Sequence, residues 1–426
     1  MSGTIVDGLN INGNFTAGSL SGLVYCGITV GGVASTVLKN LTVTGVTYNG
    51  ISVLVTSGTI FANGIIIDNV RVDNVGWAGI YLQGVANAQC SNTSVMNCGY
   101  NAIHLDIYGT TLPCSGCTFD NVFLDRSMAP THVLPGQTES GGMFFLSPGM
   151  QGITLVNSII QNNQRANLGD GIELGQNTAN SNDNIVISGN VIRNMKGYGI
   201  DASSGMSVIG NVIENTLGGA GIALDLDVGT SLSGVVISGN IIKNINNGAG
   251  IFFQSLTAGS TYSNITISGN QVVDTNASPV TKYGIYLEWN NITYQSVTIE
   301  NNNFARGAQA TFGENGSPPV PSGVICRSNN GLEYQEIGAF VTTLDATVCD
   351  GVLLNIGADT TITNIYNLPV GKTFSIQSTN GDVSFATNGT GAGALAFTGV
   401  SPRTLGDGQI LLATGLPNGN VACLFS

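Results

Sequence analysis

The sequence predicts an all-β protein: a right-handed parallel β-helix of about ten to eleven coils over residues 1–310, a linker at 311–334, and a small β-rich C-terminal domain at 335–426. Three observations carry this prediction. The segment ISGNVIRN at 187–194 is echoed by VIGNVIEN from 208, ISGNIIKN from 237 and ISGNQVVD from 267, and each is followed by a Gly-Ile pair or a close relative. With the turn asparagine as marker, Asn40, Asn69, Asn92, Asn121, Asn157, Asn190, Asn211, Asn240, Asn270 and Asn302 recur every 21 to 36 residues, a coil period with loops of variable length. Between the markers lie short runs of period-two alternation, such as Val-Val-Ile-Ser and Gly-Ile-Ala-Leu, with no sustained 3.6-residue period, so leucine-rich and helical repeats are excluded.

Such a coil buries its inward Ile, Val and Leu only by stacking on neighbours about 4.8 Å away, where each backbone amide pairs with the next rung. Asparagines repeated at one turn are expected to hydrogen-bond up the stack as a single ladder. Composition agrees: 60 glycines favour short strands and tight turns over long solvated helices. The balance of 25 acids to 12 bases gives a net charge of −13, which repels phosphate backbones and anionic membranes, so no nucleic-acid partner is expected. The N-terminus MSGTIVDGLNINGNF lacks a basic patch followed by an apolar run, and no 18-residue apolar stretch occurs; neither a signal peptide nor membrane insertion is expected. The eight cysteines read as small core fillers, because Cys114 and Cys117 have no second pair or His cluster to complete a zinc site; no metal and no cofactor are expected.

From about 311 the pattern changes. GENGSPPVPSG reads as a linker, and the alternating strands that follow lack the asparagine marker. The coil repeats resemble those of the pectate-lyase-like right-handed parallel β-helix superfamily over roughly residues 4–310, and among its members the bacteriophage tailspikes and polysaccharide depolymerases. The ending, from GKTFSIQSTNGDVSFATNG to NVACLFS, is similar to the β-sandwich caps that follow such helices. The resemblance implies a cap that holds a homotrimer, a bacterial surface polysaccharide as partner, and a virion or extracellular location.

Alignment of the coils on Gly-Ile assigns outward columns, since the Ile and the second residue after it point inward. The first column reads Ser52, Tyr81, His104, Phe144, Glu173, Asp201, Ala223, Phe252 and Tyr286; the second reads Gln83, Asp106, Ser203, Asp225, Gln254 and Glu288. Glu173, Asp201 and Asp225 fall on three consecutive coils, about 5 Å apart per rung, a spacing that suits the paired carboxylates of glycoside hydrolysis. Crowding raises the pKa of one carboxyl and leaves another ionised, which gives Glu173 as acid and Asp201 or Asp225 as base. Asp170 and Asp227 flank this stripe in or beside turns, where Asp is also favoured for local hydrogen bonding. His104 and Asp106, two residues apart on one strand, read as an acid–base pair at a separate subsite. Tyr81, Phe252, Tyr286 and Trp289 stand around the stripe as platforms for sugar faces, with Glu288 beside them and Trp77, Tyr198 and Tyr283 just before the signature.

The chemistry expected is hydrolysis of a long glycan laid along the face. Two other classes fit the pattern. A non-catalytic glycan-binding fibre or adhesin would keep the aromatics without needing facing carboxylates. A polysaccharide lyase or uronate epimerase would need cations for the substrate carboxylate, and Arg165, Lys196 and Lys282 are the few bases nearby. The paired-Asp and Gly-His-Gly signatures of polygalacturonases are absent, and Leu-Gly-Asp-Gly-Ile-Glu at 168–173 is only loosely similar to them.

Overall fold

A computed structural model of the chain describes residues 3–13, 25–31, 35–55, 61–107, 112–128, 141–163, 169–175, 182–226, 231–255, 259–288 and 292–304, and short strands from Ala310 to Phe425. Among the described residues there is no helix, and none therefore long and apolar enough to cross a membrane. The strands form a parallel β-helix. One wall is an eleven-stranded sheet whose strands follow chain order from Ile28–Gly31 through Ile80–Gln83, Ile103–Asp106, Phe144–Leu146, Ile172–Leu174, Ile200–Ala202, Ala220–Leu226 and Ala249–Ser255 to Tyr283–Leu287 and Ala310–Gly313. The other two walls merge into one 20-stranded sheet, because Thr36–Thr44 and Ile66–Val75 run unbroken through the corner between them.

The inward positions predicted from the alternation form the core. Ile80, Leu82, Ile103, Leu105, Ile172, Ile200, Ile222, Leu224, Ile251 and Ile285 are fully buried, as are Val72, Val95, Ile192, Ile213 and Ile242 on the opposing walls. The glycine of the Gly-Ile signature has a steric cause. A Cβ on Gly199 would lie 2.5 Å from both the Gly221 carbonyl oxygen and the Ile213 Cγ2, so at this coil the corner admits no side chain.

The single asparagine ladder resolves into two, offset by one residue. In the lower coils the marker asparagines Asn40, Asn69, Asn92, Asn121 and Asn157 themselves take the left-handed backbone conformation, with φ between 50° and 54°. Their side chains are exposed and bond to the coil below, as Asn69 to Asn40 and Asn121 to Asn92 (2.8 Å each), or to an aspartate such as Asp120. From the coil of Gly189 upward, Gly189, Gly210, Gly239 and Gly269 occupy that left-handed position. The asparagine then follows it and turns inward. Asn190, Asn211, Asn240, Asn270 and Asn302 are at most 2% exposed, and each Nδ2 donates to the next Oδ1 at 2.8–3.0 Å, ending on Asn329.

The expected first outward column slips at one coil. Register pairs Ile103 with Phe144 and His104 with Phe145, so Phe144 belongs to the core, where it is fully buried, and Phe145 faces outward. Gly-Met-Phe-Phe has its inward phenylalanine one place later than the Gly-Ile alignment assumes, because Met143 fills the corner that Ala102 fills one coil below.

Solenoid pairing continues past residue 310. Ala310–Gly313 pairs with Tyr283–Leu287, and Val324–Arg327, inside the segment expected as linker, pairs with Thr293–Glu300; the proline-rich stretch at 314–323 lies outside the described residues. Beyond it Gln335–Ile337, Gly351–Leu354 and Thr373–Ser378 still pair in parallel, and Thr373–Ser378 then pairs antiparallel with Ile410–Gly415, which pairs with Val421–Phe425. The described cysteines are all free thiols, and Cys90, Cys98, Cys114, Cys117 and Cys326 are buried; Cys349 lies outside the described residues.

Candidate functional site

The eleven-stranded sheet carries the site on its outer face. In-register parallel pairing stacks Phe145, Glu173, Asp201, Ala223, Phe252 and Tyr286 in one column. Glu173 and Asp201 are direct neighbours on adjacent coils, so their backbones are about 4.8 Å apart. Asp225 is in register with Gln254 in the second column, one coil above Asp201 and displaced along the strand, a diagonal separation of roughly 8 Å. The three predicted acids are therefore brought together as an adjacent pair with a diagonal third.

The base of this group is built from backbone. Glu173 Oε2 accepts the Gly142 N–H at 2.6 Å, and Asn101 Nδ2 holds the Gly142 carbonyl at 2.6 Å. Asp170 lies three residues before Glu173 and is only 6% exposed; its Oδ1 accepts the Tyr198 N–H at 2.5 Å, while its carbonyl accepts Asn163 Nδ2 at 2.7 Å. A Cβ on Gly197 would collide with that same Oδ1, so the Asp170 carboxyl is covered by bare backbone. Burial raises the Glu173 pKa above its ordinary value, with the Gly142 N–H pulling the other way. Burial, and then the charge of Glu173, push Asp170 up to about 7 against the Tyr198 N–H. Gly142, Asn101 and Asn163, which hold this arrangement, carry no signal in the repeat.

Tyr198 spans the stripe. It leaves the chain just before Ile200, and its hydroxyl donates to Gln254 Oε1 at 2.8 Å, two coils higher. The phenol must cross the intervening coil, and there the outward residue is Ala223, which is fully buried. Burial and then the charges of Asp225, Asp201, Asp170 and Glu288 raise the pKa of this hydroxyl, so the ring runs among the acids. Above it Asn247, Phe252, Lys282, Tyr283, Tyr286 and Glu288 line a pocket of about 400 Å³.

Below the acids the expected subsite is a packed aromatic box. His104 is 7% exposed, with its ring between Trp77, Tyr81, Tyr100 and Phe145 at centroid distances of 4.8–6.3 Å. Burial depresses its pKa well below the usual histidine value, despite the Asp106 charge, and its Nδ1 has no hydrogen-bond partner. Among the described residues no hydrogen bond or ion pair joins His104 to Asp106, whose charge reaches the ring without a direct bond. Asp106 instead accepts the hydroxyls of Tyr81 (2.5 Å) and Ser147 (2.9 Å) and the Ile107 N–H (2.8 Å). Tyr81 is 8% exposed, a buried prop rather than an open platform. Tyr48, Trp77 and Tyr100 stack nearly parallel up the same edge, at 4.8 and 5.7 Å. Glu288 Oε2 accepts the Ser255 N–H at 2.8 Å. Asp227 and Trp289 lie outside the described residues. Among the described residues no cluster of three or more His, Cys, Asp or Glu is arranged to hold a metal ion.

The chain belongs to the right-handed beta helix family, whose model matches residues 10–211, 139–304 and 180–349. In fold it is similar to the A-module of the mannuronan C-5 epimerase AlgE6 from Azotobacter vinelandii, at 15% identity and TM-score 0.53 over 71% of this chain and 77% of that one. It is also similar to the surface protein and adhesin PfbA of Streptococcus pneumoniae, at 14% identity and TM-score 0.45 over 71% and 88% of the two chains. A third similar structure is a double mutant of the tailspike protein of E. coli bacteriophage HK620 in complex with a pentasaccharide, at 13% identity and TM-score 0.47 over 87% and 69%. At these identities the likeness is one of fold. No curated protein sequence matches the chain.

Proposed function

We propose that this protein is a depolymerase that binds a bacterial surface polysaccharide along the eleven-stranded sheet and hydrolyses its glycosidic bonds. The observation that carries this reading is the in-register pairing of Glu173 with Asp201 on adjacent coils, both facing outward. One rung, about 4.8 Å, is close to the roughly 5–5.5 Å between the two carboxyls of a retaining glycosidase. Glu173, whose pKa burial raises, acts as the acid and gives its proton to the leaving glycosidic oxygen. Asp201 attacks the anomeric carbon, and Glu173 then takes a proton from the water that releases the glycosyl group. Asp225, on the diagonal, steadies the positive charge that develops on the sugar ring; were it the base in place of Asp201, the longer separation would give inversion. The C-terminal strands are assigned, in the same reading, to a cap that holds three chains, which sedimentation equilibrium tests directly.

The experiment is incubation of the protein and its Glu173→Gln, Asp201→Asn and Asp225→Asn variants with a panel of bacterial capsules and lipopolysaccharides. Reducing ends and the absorbance of unsaturated uronates are followed together. New reducing ends without absorbance, reduced about a hundredfold or more in Glu173→Gln and Asp201→Asn, are expected. Absorbance would make the protein a lyase, and binding without cleavage across the panel would make it a glycan-binding fibre.

A further inference from the structure

The pocket above Tyr198 takes no part in the hydrolytic steps, and its walls differ in character. Its volume of about 400 Å³ falls within the usual range for small-molecule sites, roughly 300–1,000 Å³. Phe252 and Tyr286 meet edge to face at 5.1 Å, and Tyr283 tilts against Tyr286 at the same distance, so one wall is aromatic. Opposite in character is Lys282, a half-buried cation in a chain with only 12 lysines and arginines. Among the described residues ion pairs form at Lys39–Asp7 and Arg71–Asp73, and Lys282 is in neither. The acid that shares the pocket, Glu288, has Oε2 turned to the Ser255 N–H. A cation partly removed from water beside aromatic rings attracts an anion more strongly than one in bulk solvent.

We infer that this pocket is a subsite for a saccharide unit bearing a carboxylate, with the acid group on the Lys282 ammonium and the sugar ring against Phe252 and Tyr286. The inference rests on the polysaccharide reading above and names the substrate class for it. Phe252 stands two coils above Asp201 in the same column, about 9.6 Å along the sheet, which is the reach of a disaccharide. Over that span the glycan passes Asp201 and Asp225, whose charges repel a second carboxylate. The substrate is therefore a heteropolysaccharide in which single acidic units are separated by neutral ones, and not a continuous polyuronate.

The test is ligand-observed NMR titration with glucuronic acid, N-acetylneuraminic acid, glucose 6-phosphate and glucose, on the wild-type protein and on Lys282→Met, Tyr286→Ala and Glu173→Gln. Saturable binding of at least one carboxylated sugar is expected, with glucose about tenfold weaker. Lys282→Met should remove that preference without changing the melting temperature, and Tyr286→Ala should weaken all sugars alike. Equal affinity for acid and neutral sugars, an unaltered preference in Lys282→Met, or no saturation by either carboxylated sugar overturns the inference; preference for glucose 6-phosphate over both overturns the carboxylate assignment. Glu173→Gln should bind as the wild type does. The subsite can thus stand where no glycan is cleaved, and hydrolysis can stand where the sugars fail to bind.

Discussion

Replacing Asp170 by asparagine should stabilise the protein at alkaline pH and progressively less so toward acid. In the folded chain Asp170 is 6% exposed and titrates at about 7, against 3.8 for an ordinary aspartate. Between those values the folded state keeps a proton that the unfolded chain has released. The contribution of the protonated carboxyl is therefore complete below the unfolded value and is lost as pH rises through the folded one. From pH 5 to pH 8 the loss covers nearly two pH units, on the order of 2 to 3 kcal/mol. The asparagine oxygen can still accept the Tyr198 N–H now held at 2.5 Å, and the amide does not titrate. Equilibrium unfolding in guanidinium chloride, run on both proteins at pH 5, 6, 7 and 8, should show the gap between them widening by that amount in favour of Asp170→Asn. Lowering the negative charge beside Glu173 acts in the same direction. A gap that stays constant, or one that widens toward acid pH, would refute the assignment of a proton to this buried carboxyl.

Asn240→Ala removes two acceptor and two donor contacts from the inner ladder and should cost about 3 kcal/mol, with faster hydrogen exchange at the Asn211 amide left unpaired. Gly199→Ala drives a methyl against the Gly221 carbonyl and Ile213; thermal denaturation should report a loss of about 2 kcal/mol or more. Ala223→Leu places a branched side chain where Tyr198 crosses, which should free the hydroxyl from Gln254 and lower turnover of a cleaved glycan about tenfold while circular dichroism stays unchanged. Tyr198→Phe keeps the ring and loses only its bond to Gln254. It should cost less than Ala223→Leu in the same assay, and an equal loss would place the effect in the hydroxyl.

The coils are legible in the sequence because a solenoid repeats its own contacts: the same corner excludes a side chain at Gly171, Gly199 and Gly221, and the same inward positions recur after it. The Glu173–Asp201 pairing follows from that repeat alone. What the repeat hides is any feature set by a neighbouring coil. His104, Tyr81 and Asp106 all occupy outward positions, yet adjacent aromatic side chains tile over His104 and Tyr81, and the Tyr81 and Ser147 hydroxyls engage Asp106, so facing outward leaves neither ring open. The slip at Phe144 arises where Met143 stands in the place of the signature glycine, and an alignment on the Gly-Ile pair has nothing to correct it. The path of Tyr198 leaves one trace, an alanine between Asp201 and Phe252 in the outward column, and its meaning appears only when the tyrosine is seen to cross there.

The offset between the two asparagine ladders gives the solenoid a direction of unwinding. In the lower coils each rung's turn bond lies in water, which competes for both partners, whereas in the upper coils the same kind of bond is sealed beneath the surface and joined to the main chain. Thermal opening should therefore begin at the Asn40 end and stop at the coil of Gly189, where the ladder turns inward. Glu173 lies just before that boundary and Lys282 well beyond it, so the first loss of structure would reach the acid while the lysine pocket was still intact.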